Sequence, residues 1–188
     1  PDGTSDLVKE MGRQHGNVRC IHRIGRRGLS SACIEGMSAT AAPFIAVIDA
    51  DLQHDEAVLP EMYRRAVAGD DIVVGSRYVG AGSAGDGLSS ARETGSRLAT
   101  RLSALLTGVT LSDPMSGFFL MRREVVDEVI PTLSREGFKI LLDIIVSATR
   151  FRHRQSRQLS ITEIPYRFRP RHAGESKMSP LIVVQFLG

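Results

Sequence analysis

Asp49-Ala50-Asp51 sets two carboxylates one residue apart, and an amide at Gln53 and an imidazole at His54 follow at once. The stretch closes the run Phe44-Ile45-Ala46-Val47-Ile48, which is short, apolar and rich in β-branched residues. Such a run reads as a fully buried strand of the kind found in parallel sheets covered on both faces. Carboxylates at the carboxyl end of that strand sit where open α/β sheets bind ligands. Two like charges there are costly to desolvate unless a cation neutralises them. Oxygen donors of this type suit Mg2+ or Mn2+ shared with substrate phosphates, and Gln53 can add an amide oxygen. The plainer alternative is a solvated turn in which Asp49 and Asp51 only cap the helix beginning near Glu56.

Positive side chains recur where other elements end. Arg77 follows an apolar run at residues 71–75, so it also faces the ligand crevice. Arg92 and Ser96 are four residues apart near the start of a helix expected over 89–107, so they share a face. Between Arg171 and Lys177, Gly174 lets backbone amides approach a phosphate while the flanking cations supply charge. From Arg150 to Lys177 eight Lys and Arg face only Glu163 and Glu175. That excess suits lipid headgroups, substrate phosphates or nucleic acid, and a solvated basic face accounts for part of it. Asp113 reads as a turn former ahead of Gly117, and Asp143 interrupts an apolar helix where a carboxylate usually has a partner or a job.

Five stretches stand in one order and spacing: DADLQH from Asp49, GSRY from Gly75, DPMSGFF from Asp113, GFKILLDI from Gly137 and RHAGESK from Arg171. Together they resemble the inverting family 2 glycosyltransferases, and within them the polyprenol (dolichol) phosphate mannosyltransferases. The likeness covers nearly the whole chain. It implies the α/β GT-A fold, Rossmann-like, with a mixed and mostly parallel sheet flanked by helices. Residues 1–178 would be the catalytic domain, N-terminally incomplete, because Asp2-Gly3-Thr4 resembles the tail of a first strand ending in a DDGSxDGT-like stretch. Residues 179–188 would begin a C-terminal apolar or interfacial helix.

The resemblance further implies transfer of a sugar, foremost mannose from GDP-mannose, onto a polyprenyl monophosphate. UDP-glucose is the alternative donor, and a non-catalytic fragment binding nucleotide or membrane is the alternative of another class. Asp49, Asp51 and Gln53 would hold Mg2+ or Mn2+, while Asp49, Asp51, Asp113, Arg171 and Lys177 would bind the donor. Arg77, Arg92 and Ser96 would meet the acceptor phosphate, leaving Asp51, Arg77 and Arg92 as the catalytic set. A phosphate monoester loses its second proton at about pH 6, so the acceptor arrives as a dianion and Asp143 need not act as a base. The implied partners are the nucleotide sugar, the lipid phosphate, a membrane surface and a membrane-anchoring chain, with the protein peripheral on the cytoplasmic side. Nucleic acid is not expected, since three Tyr and seven Phe, mostly in apolar runs, leave few stacking platforms.

The elements that must position these residues follow from periodicity. A chain of 188 residues, 42% hydrophobic and 24% charged, is one domain of ordinary composition. Cys20 and Cys33 have no ligand spacing and read as reduced thiols, and no apolar run approaches the roughly 20 residues of a membrane span. Helices are expected from a cap at Ser5 or Asp6 to about Gln14, and over 29–40, 56–68, 124–129 and 140–148. Strands are expected over 18–24, 44–48, 71–75, 118–121 and 159–165. Residues 79–88 carry four glycines and read as a lid or an idle loop. Arg26 and Arg27 read equally as diphosphate contacts and as a surface pair.

Overall fold

The computed structural model describes residues 3–80, 110–135, 137 and 139–170. At its centre is a four-stranded sheet in the order β1 (Phe44–Ile48), β3 (Phe118–Arg122), β2 (Ile72–Ser76), β4 (Ile161–Pro165). β3 is antiparallel to β1 and β2, and β4 is parallel to β2, so three strands share one direction and β3 alone opposes them. The sheet is mixed as expected. The reversed strand lies inside it, however, so two of the three pairings are antiparallel.

This topology decides where chemistry can gather. Ile48 pairs with Phe118 and Ser76 with Pro165. One end of the sheet therefore collects the exits of β1, β2 and β4 together with the entry to β3. The chain leaves β1 into Asp49, β2 into Arg77 and β4 into Tyr166, and it approaches β3 through residues 113–117.

Alternation along the strands sorts the core into two faces. Ile45, Ile72, Val74, Phe119 and Met121 pack on one side with α2 (Leu29–Ser38), α4 (Arg123–Val129) and α5 (Ile140–His153). Val73, Phe118, Leu120 and Ile164 pack on the other with Met62 and Ala66 of α3 (Leu59–Ala68). β1 is less buried than its composition predicts, because among the described residues it has a strand neighbour on one side only. α3 meets it at Phe44 through an edge contact with Tyr63, while Ala46 and Ile48 stay exposed.

Three local expectations change. Residues 18–24 form no strand, and Ile21 and Ile24 are 47% and 82% exposed. An extended segment becomes a strand only when a neighbour takes its backbone hydrogen bonds, and none among the described residues does. Helix α1 (Thr4–Gln14) starts from Gly3 in the left-handed region without a side-chain cap, and the Ser5 hydroxyl meets His22 Nδ1 at 3.1 Å instead. The helix expected from Glu56 begins as a single 3-10 turn, capped by Asp55 accepting from the Ala57 amide. Asp49 and Asp51 are thereby relieved of the capping role.

At the opposite end of the sheet a buried ionic network ties strands to helices. Arg152 of α5, 2% exposed, bonds Asp71 and donates to Glu128 of α4 at 2.8 Å. Asp71 also accepts from the Ser160 amide at 2.9 Å, and Arg157 reaches Glu128 at 3.3 Å. Removing one member of a buried network strands the others, at a cost of about 3–5 kcal/mol. Arg152→Ala is therefore expected to lower the unfolding free energy by about that amount in urea titrations. A loss under about 1 kcal/mol, the range of exposed pairs, would show that the network does not staple the sheet.

Candidate active site

Asp49 continues the β1 ladder by one residue, its amide donating to the Gly117 carbonyl at 3.1 Å. The register brings its carboxylate down on Gly117, where an added Cβ would stand 2.2 Å from Oδ2. Glycine is required here for space. The Asp49 side chain is 40% exposed, and the basic group recorded near it among the described residues is His54, with Nε2 at 3.8 Å. Asp51 closes the turn, its Oδ1 accepting from the Gln53 amide at 3.2 Å across Leu52, whose φ is 62°. A non-glycine residue in that conformation is strained, and such strain gathers at functional turns. Gln53 Nε2 donates to the Arg169 carbonyl at 3.0 Å and the Arg169 amide donates to the Gln53 carbonyl at 2.8 Å. The guanidinium of Arg169 then bonds Asp55 and Glu56, each at 2.8 Å.

Arg77 and Asp113 form a fork. Arg77 Nε donates to Oδ2 and Nη2 to Oδ1, both at 2.7 Å, and the Arg77 amide adds a third bond at 3.1 Å. Glu163 of β4 holds the loop beneath, accepting from the Ser112 and Asp113 amides at 2.9 and 3.0 Å. The guanidinium also lies 5.4 and 5.3 Å from the rings of Tyr78 and Phe168. Burial alone would push Arg77 down, but its hydrogen bonds to Asp113 and that charge outweigh it and hold the group above the ordinary arginine range. Asp113 was expected beside the donor sugar and Arg77 at the acceptor phosphate. Among the described residues each is the other's partner, and Asp113 fixes the direction of the Arg77 side chain.

Other expected residues are placed more plainly. Arg26 pairs with Glu35 at 3.1 Å, as does Arg23, which also donates to the Gly28 carbonyl and the Ser31 hydroxyl. Asp143 accepts from the Ser134 amide at 2.8 Å, a loop-fixing bond. Cys20 and Cys33 are both free, and burial, with the charge of Asp49, pushes the Cys33 thiol up. Arg92, Ser96, Arg171 and Lys177, the helix expected over 89–107, nearly all of the glycine-rich loop and residues 179–188 lie outside the described residues.

The sequence did not point to Glu163, Tyr166 or Arg169. Glu163 looked like one polar position of an alternating strand, and Arg169 like one charge in a basic run. Tyr166 is 3% exposed, and its hydroxyl lies 2.7 Å from His54 Nδ1. Burial raises its phenol, and the charges of Asp113 and Asp49 add to that against the opposing effect of Arg77.

Among the described residues no three His, Cys, Asp or Glu side chains converge as a metal cluster. Two carboxylates and an amide nevertheless fit a hard cation that takes its remaining oxygens from a diphosphate. The partly exposed Asp49, with no permanent positive charge recorded against it among the described residues, is the observation that carries the fit. No helix among those residues is long and apolar enough to cross a membrane.

Residues 1–130 match Glycosyl transferase family 2, and the chain belongs to that family. It is 33% identical over 189 residues to a dolichol-phosphate mannosyltransferase of Pyrococcus furiosus, covering 100% of this chain and 50% of that protein. A dolichol-phosphate mannosyltransferase of Saccharomyces cerevisiae is 31% identical over 187 residues, covering 99% of this chain and 68% of its own length. The chain thus spans about half the length of the archaeal relative. Glucosyl-3-phosphoglycerate synthase from Mycobacterium tuberculosis, in complex with Mn2+ and UDP-glucose, is similar in structure at a TM-score of 0.61 and 18% identity, over 99% of this chain and 62% of that one. Its complex with phosphoglyceric acid gives 0.57 at 19% identity, over 92% and 59%. At such identity the likeness shows the fold, the α/β GT-A arrangement.

Gly117→Ala tests the contact beneath Asp49. The added methyl must displace the carboxylate, so Mn2+ affinity is expected to fall about tenfold or more with the fold retained. Electron paramagnetic resonance of free Mn2+ reads this directly, and unchanged affinity would mean that Asp49 does not bind from that position.

Proposed function

We propose that this chain carries the catalytic machinery of an inverting glycosyltransferase that moves a sugar, foremost mannose from GDP-mannose, onto polyprenyl (dolichyl) monophosphate. The observation that carries the reading is the Asp49–Asp51–Gln53 turn, set at the same sheet end as the aimed guanidinium of Arg77. The chain's likeness to two dolichol-phosphate mannosyltransferases supports the choice of acceptor and sugar.

In this reading Asp49, Asp51 and Gln53 hold Mg2+ or Mn2+ against the donor diphosphate. A divalent cation there offsets charge developing on the departing nucleoside diphosphate. Arg171 and Lys177 bind the donor side, and Arg77, Arg92 and Ser96 bind the acceptor phosphate. Asp113 keeps Arg77 pointed and desolvated, so its charge is ready without side-chain search. The phosphate dianion attacks the anomeric carbon in one displacement, which inverts the configuration and gives a β-linked product. No residue has to remove a proton, consistent with Asp143 engaged on the Ser134 amide. The protein works peripherally at the cytoplasmic face of a membrane, beside a membrane-anchoring partner.

Transfer of radiolabelled mannose into organic-extractable lipid tests the activity in the full-length protein. GDP-mannose is expected to serve as donor and UDP-glucose to fail, and the reverse result would reassign the sugar. Asp51→Ala is expected to abolish transfer while leaving the fold intact, whereas substantial activity in saturating Mg2+ or Mn2+ would remove the cation from the scheme.

The positive residues are expected to divide by substrate. A charge-assisted hydrogen bond to phosphate is worth about 1.5–3 kcal/mol, or roughly ten- to a hundredfold. Arg92→Ala is expected to raise the KM for polyprenyl phosphate or lower kcat by that factor, with GDP-mannose binding nearly unchanged by calorimetry. Lys177→Ala is expected to weaken GDP-mannose instead. Equal losses of nucleotide-sugar affinity in both variants would merge the two clusters into one.

A further inference from the structure

His54 belongs to the carboxylate turn, yet the proposed chemistry gives it nothing to do. It is also the most enclosed residue of that turn, 4% exposed. Phe118 and Phe168 meet its ring edge-on at centroid distances of 5.7 and 5.5 Å, and Tyr166 lies tilted at 5.5 Å. A polar ring in an aromatic box needs partners for both nitrogens. Nδ1 has the Tyr166 hydroxyl at 2.7 Å, and Nε2 has Asp49 Oδ2 at 3.8 Å.

These two contacts fix one another. The Asp49 charge favours an N–H at Nε2, and the Tyr166 hydroxyl, able to donate or accept, then donates to Nδ1. The opposite tautomer would turn a bare nitrogen lone pair toward Asp49, which is repulsive. At 3.8 Å the Nε2–H acts as an electrostatic restraint rather than a hydrogen bond. Gly117 supplies a backbone wall against the same carboxylate, with no room for a Cβ. Asp49 is thus held by a wall and a donor.

We propose that His54, its ring anchored by the Tyr166 hydroxyl, is a positioning residue that holds the Asp49 carboxylate where it can ligate a divalent cation of the Mg2+ or Mn2+ type. The inference rests on the reading of Asp49 as a cation ligand. Partners of this kind orient metal-binding side chains, and losing one lowers metal affinity about 10–100-fold. Tyr166 leaves β4 and His54 follows β1, so the restraint joins the two outer strands of the sheet at their carboxyl ends.

The test is Mn2+ binding to the full-length protein in the presence of GDP, followed by electron paramagnetic resonance of free Mn2+, with thermal unfolding alongside. His54→Asn keeps an amide near Nδ1 for Tyr166 but is too short to reach Asp49. It is expected to bind Mn2+ about tenfold more weakly at a near-native melting temperature. His54→Gln returns an amide N–H near the Nε2 position and is expected to recover affinity to within about threefold of wild type. Tyr166→Phe, which removes one oxygen and leaves the ring, is expected to weaken Mn2+ as well because the imidazole is no longer anchored at Nδ1. Wild-type affinity in His54→Asn, or equal losses in Asn and Gln variants that follow their melting temperatures, overturns the proposal. If His54→Asn does not fold, Tyr166→Phe decides alone, and wild-type affinity there is the refuting result. A wild-type protein that binds no Mn2+, or an Asp51→Ala variant that binds it normally, removes the cation reading itself and this inference with it. Binding that Asp51→Ala abolishes but His54→Asn and Tyr166→Phe both preserve refutes the role of His54 only.

Discussion

Four carboxylates lie toward one end of this sheet, each with its own partner, and keeping them there organises the residues around them. Glu163 is answered by two backbone amides, Asp113 by the fork of Arg77, Asp51 by the amide of its own turn and Asp49 by an imidazole. Exposure follows the quality of the answer. Asp113, matched by a permanent charge, is 0% exposed, whereas the Asp49 side chain, matched by a group without one, is 40% exposed. A carboxylate tolerates burial when its countercharge is built in, and stays open to solvent when the countercharge must arrive from outside.

The reversed β3 makes this gathering possible. A strand running with its neighbours would deliver its carboxyl end, and another exit loop, to the crowded edge. β3 instead delivers its beginning, so the compact turn at residues 113–117 lies beneath the exits of β1 and β2. That turn supplies the Gly117 carbonyl that extends β1 to Asp49 and the carboxylate that aims Arg77. The far end of the sheet handles buried charge differently, with Arg152 bridging Asp71 and Glu128. One end anchors the fold and the other holds groups poised toward solvent.

What the sequence revealed, it revealed through neighbours along the chain. The apolar runs located β1, β2, β3 and β4 to within a residue or two, and the Asp-x-Asp-x-Gln spacing lies within a single turn. The expected strand at 18–24 failed because strand formation depends on a pairing that no local pattern encodes. β1 reads as buried by composition alone, since nothing within five residues says that, among the described residues, it has a strand neighbour on one side only. Arg77 and Asp113 stand 36 positions apart, His54 and Tyr166 112, and Gln53 and Arg169 116. Each of those residue types was visible. The register of the sheet, which brings them together, was not.

Arg169 ties the chain leaving β4 to the carboxylate turn through two bonds with Gln53 and two ion pairs, a half-buried one to Asp55 and an exposed one to Glu56. The exposed pair to Glu56 contributes little, so the bonds to Gln53 and the half-buried pair to Asp55 carry the attachment. An attachment of this kind is a thermodynamic linkage, and linkage is reciprocal. Whatever tightens the turn at Asp49–Gln53 raises the free energy needed to peel the 166–170 segment away. Whatever pulls that segment loosens the turn by the same amount.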